Sequence, residues 1–149
     1  MHRLTDLGLK ALSVYVAFIF IWYLQYKFTG GEGSVWLFAI ITDWLGFPGH
    51  EKSMRIATGT TELIAAILIL IPATQVIGAL MAFGIMTGAI FFHLVSPLGI
   101  DPYGDGGELF REACTVFVFA LVIIVARREQ GLMYLRKLLR AVARRSQPI

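Results

Sequence analysis

Residues 55–95 read RIATGTTELIAAILILIPATQVIGALMAFGIMTGAIFFHLV. Two apolar runs, about 55–71 and 76–95, are separated only by Pro72 and the three residues Ala73-Thr74-Gln75. Proline lacks the backbone N–H that a continuing helix needs, so it stops the first run. At a rise of about 1.5 Å per residue, each run is long enough to cross about 30 Å of hydrocarbon. The stretch predicts two membrane-spanning helices joined by a very tight turn.

Working outward, the run Leu12 to Leu24, extended on both sides, predicts an earlier span over 8–27. Arg3 and Lys10 before it give it the look of a signal peptide, but no small-x-small cleavage site follows. The run ends instead in Tyr26-Lys27-Phe28, which reads as an uncleaved first span. A last span is predicted over 109–126, after the Gly/Pro/Asp-rich loop Leu98 to Gly107. Residues 29–53 read as a connecting loop, opened by Gly30, Gly31 and Gly33 and closed by Pro48-Gly49. Its apolar part, Val35 to Leu45 with Trp36 and Trp44, is too short to span and is expected at the membrane interface. The fold expected is all-α: a transmembrane four-helix bundle over 1–127, with a C-terminal amphipathic helix over 128–149.

Composition agrees. Hydrophobic residues make up 57% of the 149 residues, charged residues 15%, and the mean hydropathy is +0.72. A soluble domain carries about 25% charged residues. The single cysteine, Cys114, excludes an intramolecular disulfide and any CxxC redox pair. The net charge of +3 is concentrated at one end, which argues against nucleic acid as a partner and for an anionic membrane surface.

Orientation follows from where lysine and arginine fall. Arg3, Lys10, Arg127, Arg128, Arg136, Lys137, Arg140, Arg144 and Arg145 share one side, nine of the thirteen. Lys27, Lys52, Arg55 and Arg111 lie on the other, among Asp101, Asp105 and Glu108. The expected topology places both termini in the cytoplasm. In the tail, Leu132, Leu135, Leu139 and Val142 recur at helical spacing, with Arg136, Lys137, Arg140 and Arg144 on the other face. The pattern fits a helix lying on an anionic leaflet, or a docking surface for a cytoplasmic partner.

Ionisable groups within spans are expensive, about 2.5 kcal/mol or more near the centre, so each needs a reason. Glu62 lies seven residues after Arg55, about 10 Å along the helix. Arg55, Gly59, Glu62 and Ala66 form one narrow stripe that is expected to face protein. His93 closes the third span, sharing a face with Met86, Ala89 and Ala82. Gly84 and Gly88 form a small-xxx-small patch on the opposite side, where a neighbouring helix is expected. Glu108, Arg111, Glu112 and Thr115 open the fourth span, while Gln25 and Lys27 close the first at the same depth. A polar cluster of Lys27, Arg55, Glu62, His93, Arg111 and Glu112, with Cys114 nearby, is therefore expected in the outer third of the bundle. Nothing comparable marks the cytoplasmic half. Such a cluster is either an ion-pair network that fixes the bundle or an outward-opening pocket for a small molecule, a quinone headgroup or protons.

Metal chemistry is not signalled. Met54, Met81 and Met86 with His93 lack the clustering of a copper site. One histidine in a span leaves haem without a second axial ligand. The loop Asp101-Pro102-Tyr103-Gly104-Asp105-Gly106-Gly107-Glu108 lacks the EF-hand spacing and reads as a turn into the fourth helix. No nucleophile–base pair, phosphate loop or zinc motif is present.

Three stretches carry a resemblance. Tyr26-Lys27-Phe28-Thr29-Gly30 ends the first span, Arg55-Ile-Ala-Thr-Gly59-Thr-Thr-Glu62-Leu opens the second, and Phe91-Phe92-His93-Leu94 closes a glycine-rich third. Over about residues 8–126 the chain resembles the DoxX/DoxX-like family of small four-span membrane proteins. The resemblance implies a bacterial cytoplasmic-membrane protein, similar to a subunit of thiosulfate:quinone oxidoreductase and to components of redox or oxidative-stress complexes. It points to Lys27, Arg55, Glu62 and His93, with quinone as the implied cofactor and a redox protein or a second copy as partner. With one cysteine and no cofactor motif, the chain is poorly equipped for redox catalysis alone, and a quinone-facing or anchoring subunit fits better. A small proton-coupled transporter using Glu62, with Gly84 and Gly88 at a dimer interface, and a purely structural or assembly protein are the alternatives.

Overall fold

The computed structural model describes residues 2–145, with side chains for 6–136, 139 and 140. Six helices follow in order: α1 (His2–Thr29), α2 (Glu32–Trp44), α3 (Glu51–Leu70), α4 (Gln75–Val95), α5 (Glu108–Ala126) and α6 (Arg128–Arg145). Four of them, over Asp6–Thr29, Glu51–Leu70, Gln75–Val95 and Glu108–Ala126, are long and apolar enough to cross a membrane. At most 39% of the most apolar window of any of these is buried within the protein. Phe18, Trp22, Ile64, Leu80, Leu94 and Val125 are among the large apolar side chains turned outward. A water-exposed surface of that kind is unfavourable, while lipid accepts it.

Helix α3 packs between α1 and α4, and α5 closes the ring against α4 and, less extensively, α1. The core is narrow and made largely of alanine: Ala65 and Ala66 of α3, Ala79 and Ala82 of α4, and Ala120 of α5 are fully enclosed. Val16, Phe20, Ile69, Val116 and Ile123 fill the remaining space. Small side chains let helix backbones approach closely, which is how helices associate where lipid removes the hydrophobic drive. The closest approach is at Gly78, where a Cβ would stand 2.3 Å from the backbone nitrogen of Ile69. That glycine permits the tight α3–α4 turn.

Residues 29–53 are not a plain loop. Their centre is the 13-residue helix α2, which packs on α3 and α1 through buried Phe38, Ile41 and Thr42. Backbone turns isolate it at either side. Gly30 takes φ +76° and the Gly31 N–H reaches back to the Tyr26 carbonyl at 3.0 Å, ending α1 in a Schellman turn. Gly46, at φ +81°, does the same for α2, with Phe47 N–H donating to the Thr42 carbonyl at 2.8 Å.

Candidate functional site

Helix α2 and the 96–107 loop cover one end of the bundle, and beneath them lies a cavity of about 960 Å³. All four spanning helices contribute to its wall. Its lining is mainly apolar and aromatic, including Phe20, Trp22, Tyr26, Phe38 and Phe92. It reaches the surface at exposed residues of α1 (Trp22, Tyr26) and of α3 and α4 (Thr61, Gly84).

Of the six residues expected in the polar cluster, four line this cavity: Lys27, Glu62, His93 and Glu112. Lys27 Nζ lies 2.9 Å from Glu62 Oε2, with the two side chains 14% and 5% exposed. The Lys27 ammonium is thus the donor to Glu62 Oε2. Glu112 Oε2 is buried and lacks a donor. Gly59 makes the ion pair possible, since a Cβ there would meet Phe28, Lys27 and Leu24 at 3.3–3.5 Å. The stripe Arg55, Gly59, Glu62 and Ala66 faces protein as its spacing requires. His93 turns its Nδ1 to the Gly99 carbonyl at 2.6 Å, where only the ring nitrogen can donate, and packs edge-on against Phe110.

The other two residues of the expected cluster belong elsewhere. Arg55 is buried, but its guanidinium bonds to Glu51 at 3.0 Å and to the Lys27 carbonyl in the last turn of α1. Arg111 donates to the Gly106 carbonyl at 2.6 Å and lies outside the cavity wall. Both arginines satisfy backbone oxygens that helix ends and turns leave free. Cys114, half-buried on α5, does not line the cavity either.

Gly84 and Gly88 require a correction as well. A Cβ at either would meet nothing within 4 Å, so within this chain they form no packing face and instead line the cavity. A glycine pair that removes side chains from a helix face permits close packing or leaves a space, and spacing alone does not distinguish the two.

Residues outside the expected cluster also shape the site. Tyr23, one turn before Lys27, lies with its ring 5.6 Å from the Lys27 ammonium and its phenol beside the Glu112 carboxylate. The i, i+4 spacing to Lys27 was the available signal. Tyr103 donates to the Gly33 carbonyl at 2.8 Å and packs on Trp36, tying the 96–107 loop to the start of α2. That loop is organised by carboxylates: Asp101 accepts from the N–H groups of Asp105 (2.9 Å) and Gly106 (3.2 Å), and Asp105 from that of Glu108 (2.9 Å). Loss of water pushes the Asp101 carboxyl up, and the backbone N–H groups of Gly107, Gly106 and Asp105 together outweigh it and hold the carboxyl below the usual range. Among the described residues, no three His, Cys, Asp or Glu side chains could hold a metal ion together.

The opposite end of the bundle is not bare, contrary to expectation. Gln75 donates to Ser13 Oγ at 2.8 Å and accepts from Arg127 Nε at 2.8 Å, and Arg127 reaches Asp6 at 3.0 Å. Ser13 and Gln75 are buried. Next to this chain, Gln130 and Tyr134 of α6 donate to the Pro72 and Ala73 carbonyls, fastening the first turns of the tail to the α3–α4 turn.

The family model described as the DoxX-like family matches residues 11–99. The chain belongs to the DoxX-like family. The match spans α1 to α4 of this DoxX-like bundle, with Lys27, Arg55, Glu62 and His93 inside it, and ends before α5, short of the 8–126 expected. Glu112 is therefore a feature of this DoxX-like chain lying beyond the matched part. No curated protein and no solved structure matches the chain. Family and spans together make it a multi-pass membrane protein of the DoxX-like kind.

Proposed function

We propose that this DoxX-like protein is a ligand-binding membrane subunit, non-catalytic by itself, whose cavity receives the head of a small amphipathic molecule. One observation carries the reading: at the wall of a largely apolar cavity, beside the Lys27–Glu62 ion pair, a buried carboxylate oxygen of Glu112 lacks a hydrogen-bond donor. Buried polar atoms are nearly always satisfied, and one left open beside a ligand-sized space is where a ligand's donor fits. With lysine and arginine crowded at the opposite end, the cavity occupies the outer half of a bacterial cytoplasmic membrane, both termini being inside.

A narrower reading makes the occupant a quinone in its reduced form. Quinol hydroxyls are donors of the required kind, and the Lys27 ammonium matches an oxidised carbonyl. The chain is then the quinone-facing subunit of a membrane redox or stress-related complex, as the family resemblance implies. Use of Glu62 as the coupling group of a proton-driven transporter has less support, because Lys27 already holds it.

The test is titration of the protein in lipid nanodiscs with a short-chain quinol and with its quinone, read by quenching of Trp22. Saturable quenching that weakens in Glu112→Leu is expected; quenching no different from that of a mutant with Trp22 removed sinks the narrower reading.

For the tail we propose an anionic leaflet as the surface α6 lies on. Leu132, Leu135 and Leu139 are exposed, as are Arg136 and Arg140, while the side chains of Lys137 and Arg144 lie outside the described residues. Hydrogen exchange of α6 is expected to slow when phosphatidylglycerol replaces a zwitterionic lipid, and an unchanged rate removes the idea.

A further inference from the structure

The cavity wall carries an imbalance that a neutral ligand does not use. Five carboxylates line it, those of Glu32, Glu62, Asp105, Glu108 and Glu112, against the one ammonium of Lys27. The two nearby arginines do not correct this, since Arg55 and Arg111 spend their guanidinium groups on Glu51 and on backbone carbonyls. Glu32 and Glu108 stand in the first turns of α2 and α5, where a helix dipole favours them, and Asp105 caps the start of α5. Those three are exposed and solvated. Glu62, only 4% exposed, is answered by the Lys27 ammonium at 2.9 Å. Glu112, one wall away, has no such answer, since its Oε2 is buried without a hydrogen-bond donor.

Aromatic faces stand among these charges. Tyr23 already holds one cation, Lys27, over its ring at 5.6 Å. Trp22, Tyr26, Phe92 and Tyr103 present further rings around the same space. Buried carboxylates next to aromatic rings in an apolar cavity form the environment that binds alkylammonium groups. A bare metal ion fits poorly, because no three ligating side chains come together among the described residues.

We propose that the cavity selects organic cations, namely amphipathic molecules with a protonated amine or quaternary ammonium head and an apolar body. The exposed acids at the mouth draw the head inward, Glu112 receives it beside the Lys27–Glu62 pair, and the apolar body lies against the glycine face of α4. The proposal rests on the ligand-binding reading of the cavity, not on a quinone occupant.

The probe pair is benzyltrimethylammonium and its uncharged carbon isostere neopentylbenzene, titrated by calorimetry into the whole protein in zwitterionic nanodiscs. The cation is expected to bind about tenfold more tightly than the isostere or better, a ratio typical of one desolvated charge contact. Glu112→Gln is expected to erase most of that ratio while leaving the isostere's affinity unchanged. Glu62→Gln is the second variant, scored on the same ratio, with a thermal melt to establish that it is folded. Equal affinity for cation and isostere, or an unchanged ratio in both variants, overturns the cation preference and leaves the cavity reading standing. Failure of the cation, the isostere and a short-chain quinol alike to bind overturns both.

Discussion

The bundle has a polar cluster at each end, and the two are built on opposite plans. At the α6 end, Ser13, Gln75, Arg127 and Asp6 form a chain in which each member bonds to the next. At the α2 end, Lys27 and Glu62 pair with each other, Glu112 keeps a buried oxygen without a donor, and all three face about 960 Å³ of space. Polar residues that close on one another fix a structure, while polar residues left open toward a space are available to a ligand. The depth of a charged residue in the membrane therefore says little about its role; what its hydrogen bonds reach says more.

Breaking the open cluster should have the largest effect. Lys27→Met leaves Glu62 buried and unpaired, and a loss of about 3–5 kcal/mol of stability is expected from breaking a buried pair on one side. The double variant Lys27→Met, Glu62→Leu removes both charges and should recover most of that loss in a thermal melt, yet bind no ligand. If the double variant melts as low as the single, the loss is not that of a stranded Glu62 charge, and the pair itself holds these helices together.

Breaking the closed cluster should matter less and only for stability. Gln75→Leu strands Ser13 and Arg127, for an expected loss of about 1–3 kcal/mol. Ligand affinity at the far end should not change, and a change would mean that the two ends are coupled.

The smallest effects separate the glycines. Gly84→Ala and Gly88→Ala meet no neighbouring atom, so their melting points should stay or rise, helix propensity favouring alanine by up to about 1 kcal/mol. Gly78→Ala, forced against the Ile69 backbone, serves as the destabilised control. A marked fall for Gly84→Ala would point to a second copy packed on α4, an interface a single chain does not display.

The four spans were legible because hydropathy and length are enough to define a helix in lipid, and the observed ends fall close to the expected ones. Helix α2 was not, because 13 residues flanked by glycines look like a loop until the backbone turns at Gly30 and Gly46 are seen. Within the site, Glu62 and Lys27 could be placed by depth and face. Arg55 and Arg111 shared that depth but turned to carbonyls, since a long side chain chooses its partner from backbone positions that a sequence does not display. Gln75 escaped notice because it looks like a turn residue, and its partners Ser13 and Arg127 lie 62 and 52 positions away.

The tie between α1 and α3 bears on how the protein is made. Arg55 and Glu62, the charged groups buried in α3, find partners on α1: the Lys27 carbonyl for one and the Lys27 ammonium for the other. A nascent α3 leaving the insertion machinery alone would carry both into lipid without those partners, at several kcal/mol. Helix α1 must therefore still be at hand when the α3–α4 hairpin arrives, so a single lysine that lines the cavity of the finished protein also gives the incoming helix its first polar partner in the bilayer.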